Sequence, residues 1–300
     1  VPEGPVVHLV DGHVYIFRAY YSMPSLSGPD GTPTGAVRGY ASTLFKYLAE
    51  QEATHAAVCF DFALESFRND LLPTYKSSRG QPPDDLELQF ELCTELTRAL
   101  GVAVYEQERY EADDLIATLA TRLAETGTQV VVVTSDKDLA QLVREDGRIV
   151  VHDLAKGVTL DAAGVREKFG VAPEQIPDYL GLLGDAVDDL PGVPGVGPRT
   201  AAAALVAFGS IEHIPADPRA WVGVPVRGAA RAAAAIDAHR AQALRVRELA
   251  TVEREVPGLR AKLAELEWHG AERKLADALF ERLGWGAAIR ERVPRWRKDA

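Results

Sequence analysis

The stretch Val130-Val131-Val132-Val133-Thr134-Ser135-Asp136-Lys137-Asp138 limits the folds open to this chain. Four consecutive valines make a strand that is apolar on both faces, as a central parallel strand covered on both sides must be. The run stops at two aspartates one residue apart, and ligands of open α/β sheets bind just beyond the carboxyl ends of the strands. A single strand of this kind is explained by Ser135 or Asp136 capping a helix that starts near Leu139. Other strands of this chain end the same way, and several acids at one sheet edge make a site.

Val6-Val7-His8-Leu9-Val10 is a short apolar strand that ends at Asp11-Gly12, and Ala56-Ala57-Val58-Cys59-Phe60 is another, ending at Asp61. A further strand, Gly101–Tyr105, leads to Tyr110-Glu111-Ala112-Asp113-Asp114. Helical patterns over 36–51, 85–100 and 114–125 lie between the strands, and this alternation predicts a parallel sheet with crossover helices. An edge strand or hairpin is expected over 150–158 and a short helix over 161–169. From residue 175 the sequence turns helical and alanine-rich, so a boundary is placed there: an α/β domain over 1–175 and a helical region over 176–300.

Acids favour helix N-termini, which accounts for one or two of Glu111, Asp113 and Asp114 but not for all three. On an ideal helix Asp113 lies about 200° from Glu111, so the three converge only if Glu111 precedes the helix. Leu115, Leu119 and Leu123 behind them read as core.

Between Asp61 and the helix over 85–100 lies the basic segment 67–83, read as a mobile arch. It puts Arg68, Lys76 and Arg79 in reach of phosphates and offers Tyr75 for stacking on a base. Further on, Asp185 and Asp188 share a face if helical. They precede Pro191-Gly192-Val193-Pro194-Gly195-Val196-Gly197-Pro198-Arg199-Thr200. Glycine turns running into a helix whose first residue is Pro198 present bare N–H groups, with Arg199 and Thr200 nearby, to an anion such as a DNA phosphate. Arg227, Arg231, Arg240, Arg245 and Arg247 form a basic helical face that either extends such a track or is solvated.

The formal net charge of −11 speaks against a nucleic-acid partner only if the acids are dispersed; clustered acids neutralised by metal ions remove the objection. Two cysteines are too few for a disulfide framework. No apolar run approaches the ~20 residues of a membrane span, no secretion signal is seen, and a cytoplasmic location is expected. Oxygen ligands without neighbouring His or Cys select Mg²⁺ or Mn²⁺. Two such ions ~4 Å apart suit in-line attack on a phosphodiester.

Leu9-Val10-Asp11-Gly12, Phe60-Asp61, Glu111-Ala112-Asp113-Asp114, Ser135-Asp136-Lys137-Asp138 and Gly184-Asp185 through Gly197 resemble, in order and spacing, the 5′-nuclease domain of bacterial DNA polymerase I and the related flap endonucleases. The likeness spans about residues 6–255. It implies a PIN-like α/β core, an arch at 67–83, a helix–three-turn–helix DNA clamp at about 178–210, and two-metal cleavage of DNA at 5′ flaps and 5′ ends beside a duplex junction. Carried over by position, Asp11, Asp61, Glu111, Asp113, Asp136, Asp138 and Asp185 become metal ligands, with Asp136 central to catalysis. Asp114 and Asp188 become outer or water-mediated ligands. Lys76 and Arg79 become catalytic and DNA-binding cations, and Arg68 a phosphate contact. Gly192, Gly195 and Gly197 become a DNA-gripping turn that also holds K⁺. A monomer associated with the bacterial nucleoid is the expected form. Ser135, Ala186-Val187, Asp189 and the Phe62–Glu65 loop depart from the family pattern without removing a carboxylate. A PIN-type ribonuclease leaves the glycine turns unexplained, a phosphatase using Asp136 and Asp138 does so too, and a non-catalytic junction-binding module predicts broken acids.

Overall fold

The computed structural model describes residues 4–260 and 262–298. The chain runs β1 (Val6–Asp11), α1 (Gly12–Ser22), α2 (Gly35–Glu50), β2 (His55–Cys59), α3 (Phe67–Leu71), α4 (Asp84–Ala99), β3 (Ala103–Tyr105), α5 (Ala112–Glu125), β4 (Gln129–Val133), β5 (Ile149–Asp153), β6 (Val158–Leu160) and α6 (Ala162–Phe169). It continues through α7 (Ile176–Leu183), β7 (Gly184–Asp185), β8 (Leu190–Pro191), α8 (Pro198–Phe208), α9 (Ala229–Ala250), α10 (Arg273–Arg282) and α11 (Ala287–Arg290).

The main sheet has the order β3-β2-β1-β4-β5-β6, parallel throughout except for the β5–β6 hairpin. The valine strand β4 lies near the centre, paired with β1 and β5. Its alternate residues enter different cores: Val130 and Val132 pack with α5, whereas Val133 packs on the side of α2 and α4. Cys59 is fully buried and unpaired, as its place in a strand suggests.

Parallel strands run the same way, so β1, β2 and β4 all deliver their carboxyl ends to one edge, and Asp11, Asp61 and Asp136 arrive together. No loop separates β1 from α1. Asp11 ends the strand, and its carboxylate accepts the Val14 N–H at 3.3 Å as the helix cap.

No break in the core marks the boundary expected near residue 175. The core beneath α5 continues without interruption through Val165, Val171, Ile176 and Leu180 to α8 and α9. The helical region 176–300 contributes to both cores. Trp268, Leu279, Phe280 and Trp285 pack back into the other core with Tyr40, Phe45 and Leu96. The expected basic face of α9 is largely spent internally: Arg240 donates to the Ile214 carbonyl at 2.6 Å, Arg245 to the Leu71 carbonyl at 2.7 Å, and Arg247 pairs with Asp178 and Glu212. No helix of the described residues is long and apolar enough to cross a membrane.

Candidate metal centre

Thr134, fully buried at the end of β4, organises the first group of acids. Its hydroxyl donates to Asp11 Oδ2 at 2.9 Å and accepts the Asp136 N–H at 3.0 Å, so one side chain orients two acid-bearing segments. Asp61 is fixed from two sides. Its Oδ1 accepts the Ala112 N–H at 2.7 Å. Its own N–H donates at 3.0 Å to His13 Nδ1, which also lies 3.5 Å from Asp61 Oδ2. With Nδ1 accepting, the His13 proton sits on Nε2. The ring is wedged against Phe90 and Phe60, at centroid distances of 4.8 and 5.8 Å.

Glu111 sits before α5, in extended conformation at the N-cap, which is the condition for bringing it to the same side as Asp113. Asp114 turns away. It is fully buried and takes two hydrogen bonds of 2.8 Å from the Arg68 guanidinium and one of 2.8 Å from the Glu253 N–H. With the Glu111 N–H also donating to it at 3.1 Å, Asp114 is held by protein donors, so of the metal role expected for it only the outer, indirect part is compatible with this geometry.

The second group comes from different elements. Asp138, Asp185 and Asp188 offer carboxylate oxygens that all lie within 4.8 Å of one another. Asp185 and Asp188, which would share a face of a helix, are brought together instead by the tight β7–β8 hairpin. Asp138 Oδ1 is buried and has no hydrogen-bond donor. A buried carboxylate oxygen without a donor is costly and calls for a cation.

The electrostatics agree. Burial first, then Asp61 and Asp136, push the Asp11 carboxyl up to about 7. Burial and Asp136 do the same to Asp138, also to about 7. Asp113 is driven well above the usual carboxylate range by burial, Asp136 and Asp11. Asp188 is raised by burial, which Lys76 and Arg79 only partly offset. Glu111 goes the other way: burial opposes its charge, but Lys76 and Arg68 outweigh it and hold the group at about 2. Ionised together at neutral pH, these acids repel unless a cation lies among them. An all-oxygen donor set with an orphaned buried oxygen fits a hard divalent ion.

The 5′-3′ exonuclease N-terminal resolvase-like domain matches residues 6–170, and the 5′-3′ exonuclease C-terminal SAM fold matches residues 171–274. The chain belongs to the 5′-3′ exonuclease family. It is 39% identical to DNA polymerase I of Bacillus caldotenax over 281 residues, which is 92% of this chain and 31% of the polymerase. It is 40% identical to DNA polymerase I of Pseudomonas aeruginosa over 282 residues, 94% of this chain and 30% of that one. The chain thus spans under a third of the length of these relatives. The fold is shared with bacteriophage T5 5′-exonuclease carrying divalent zinc ions, at 19% identity and TM-score 0.66, covering 93% of this chain and 99% of that one. It is shared equally with the T5 flap endonuclease in a complex with DNA and metal ions, at 18% identity and TM-score 0.65, with the same coverage of each chain.

In this exonuclease-family chain the segment 67–83 is folded down over the acids. Leu71, Leu72 and Tyr75 pack against Leu190, Val246 and Leu249. Lys76, at φ +56°, pairs with Glu111, and Arg79 pairs with Asp188. Asp189, also at positive φ, accepts the Ser78 N–H at 2.7 Å. Two expected DNA contacts are corrected. Arg68 is 3% exposed, committed to Asp114 and to the Leu249 and Thr251 carbonyls, and does not face solvent. Tyr75 is buried, its hydroxyl directed at Glu111 and Asp188, and offers no face to a base.

The glycine turn divides in two. Gly192 has no room for a β-carbon, which would strike the Leu183 carbonyl, so its role is internal packing. Gly195, at φ +78°, and Gly197 are open to solvent, and Gly197 caps α8 ahead of Pro198, with Arg199 exposed beside it. Sequence reasoning passed over His13, Thr134 and Lys137 as site residues. The signal for each was adjacency: every one stands within two residues of a strand-end aspartate.

Proposed function

We propose that this chain hydrolyses DNA phosphodiesters at 5′ flaps and 5′ ends beside a duplex junction, as a 5′-3′ exonuclease and flap endonuclease dependent on Mg²⁺ or Mn²⁺. One observation carries the reading. Carboxylates from five separate stretches, Asp11, Asp61, Glu111 with Asp113, Asp136 with Asp138, and Asp185 with Asp188, share one edge of the molecule and leave a buried oxygen without a donor. We assign Asp11, Asp61, Asp113 and Asp136, linked by the repulsion that Asp11 and Asp113 feel from their neighbours, to one ligand group, and Asp138, Asp185 and Asp188, whose oxygens lie within 4.8 Å of one another, to the other, with Glu111 paired to Lys76. Divalent ions held there supply acidified water and neutralise the departing oxygen.

The chain's own residues do the remaining work. Thr134 and His13 fix the angles of Asp11 and Asp61. Lys76 and Arg79, paired with Glu111 and Asp188 over the acids, are the cations that would donate to a scissile phosphate seated there. Gly195, Gly197, Arg199 and Thr200 present N–H groups, a cation and a hydroxyl to the duplex backbone, without reading bases; a K⁺ ion on the carbonyls of this turn belongs to the same reading. An enzyme of this kind works as a monomer in the cytoplasm, at the nucleoid.

The test is cleavage of a 5′-flapped duplex in Mg²⁺, in chelator, and by the Asp136→Ala variant. Cleavage is expected in Mg²⁺ alone, and the variant is expected to bind the flap with little loss while cutting at least about a thousandfold more slowly. Full cleavage by Asp136→Ala, or cleavage that survives chelator, refutes the proposal.

A further inference from the structure

The amine of Lys137 lies inside the second acid group. Lys137 stands between Asp136 and Asp138 in sequence, on the turn that leaves β4. Its Nζ pairs with Asp185 Oδ2 and lies 3.5 Å from Asp138 Oδ1, the buried oxygen with no hydrogen-bond donor. Two of the three carboxylates that share an oxygen cluster therefore lean on one ammonium. The side chain is 45% exposed, so it stands at the solvent edge of the group and not beneath it. Lysine suits such an arrangement, being a strongly hydrated point charge on a flexible stem. Lys76 and Arg79 differ, because they arrive on a separate segment packed over the acids from outside; Lys137 is fixed by its backbone between two acids.

We propose that Lys137 is a tethered counter-cation occupying the place of a divalent ion among Asp138, Asp185 and Asp188, and that an incoming ion must displace it. It keeps the metal-free group from flying apart and sets the metal concentration at which the group fills. The proposal rests on the metal-binding reading of the site. A single charge cannot neutralise three carboxylates, whereas a divalent ion with the amine swung to solvent comes closer, so displacement is favoured but opposed by the ion pairs it breaks.

Calorimetric titration of the chelator-treated protein with Mn²⁺, without DNA, tests it on the wild type, Lys137→Met, Lys137→Arg and Asp185→Asn. Lys137→Met is expected to bind the weaker Mn²⁺ roughly five- to tenfold more tightly at unchanged stoichiometry, as loss of a part-exposed ion pair implies. It is also expected to melt at lower temperature without metal and to gain more on adding Mn²⁺. Lys137→Arg, which keeps the charge but replaces a compact ammonium by a planar guanidinium, should lie between wild type and Lys137→Met. Unchanged or weaker Mn²⁺ binding by Lys137→Met overturns the proposal. Asp185→Asn separates the two levels. If it retains every wild-type ion at wild-type affinity, the metal site itself is wrong. If it loses an ion while Lys137→Met shows no gain, only the role of Lys137 falls.

Discussion

Arg68 shows what a residue can hide from its sequence neighbours. Placed in a basic, aromatic-containing stretch, it reads as a phosphate contact. In the structure its guanidinium grips Asp114 bidentately and donates at 2.8 Å to the Leu249 carbonyl, 181 residues away along the chain. No local pattern announces a partner at that separation. The consequence is a structural bolt between α3, α5 and the end of α9. Removing one member of a buried pair leaves the other charged, desolvated and alone. Arg68→Ala is therefore expected to cost about 3–5 kcal/mol of folding stability, read as a lowered urea midpoint. A shift of less than about 1 kcal/mol would mean that the pair is solvated. The acids at the strand ends, by contrast, were legible one by one, because each follows an apolar run that has to stop somewhere.

At the level of elements, β1, β2, β4 and α5 could be read from periodicity, whereas α1 and the β7–β8 hairpin could not. Helix α1 begins directly on the last residue of β1, and its aromatic residues His13, Tyr15, Phe17 and Tyr20 blur the contrast between its faces. The hairpin has only two residues per strand, too few for any period, so Asp185 and Asp188 looked like neighbours on a helix. What makes the hairpin is steric. Gly184, at φ +72°, and Gly192 lie so close that neither tolerates a β-carbon. Gly192→Ala must push back the Leu183 carbonyl, which ends α7, and with it the pair of carboxylates. A cost of at least about 2 kcal/mol is expected, along with weaker Mn²⁺ binding at the second acid group. At Gly195 space is open, and Gly195→Ala meets only the left-handed backbone penalty of about 1–2 kcal/mol. Comparing thermal melts and Mn²⁺ titrations of the two variants checks this: equal losses in both would show that the Gly192 contact does not hold the hairpin.

Across the whole molecule, the net charge of −11 is not spread evenly, and its concentration at one sheet edge makes metal-free stability depend on pH in a defined direction. Asp11 and Asp138 have folded-state values of about 7, above their ordinary 3.8, because burial and neighbouring acids favour the protonated form. An acid raised in this way stabilises the fold fully below its unfolded value and loses that contribution as pH climbs through its folded value. Between roughly pH 4 and 7, then, the folded chain binds more protons than the unfolded chain, and raising the pH weakens it. Glu111 works in the opposite sense at the acid end: held at about 2 against an ordinary 4.5, it contributes above its unfolded value and is lost only as pH falls through 2. The two effects together place the stability maximum of the metal-free protein well on the acid side of neutrality, at about pH 4, where the gain from Glu111 gives way to the loss from Asp11 and Asp138. Divalent ions bind the ionised carboxylates and release the protons, so they add most stability at high pH and little at pH 5. Thermal melts at pH 5 and pH 8, each with chelator and with Mg²⁺, are expected to show a lower melting temperature at pH 8 than at pH 5 in chelator. The gap should narrow or reverse in Mg²⁺. Melting temperatures in chelator that rise from pH 5 to pH 8 would show that the acids are not crowded together as their burial and mutual repulsion require.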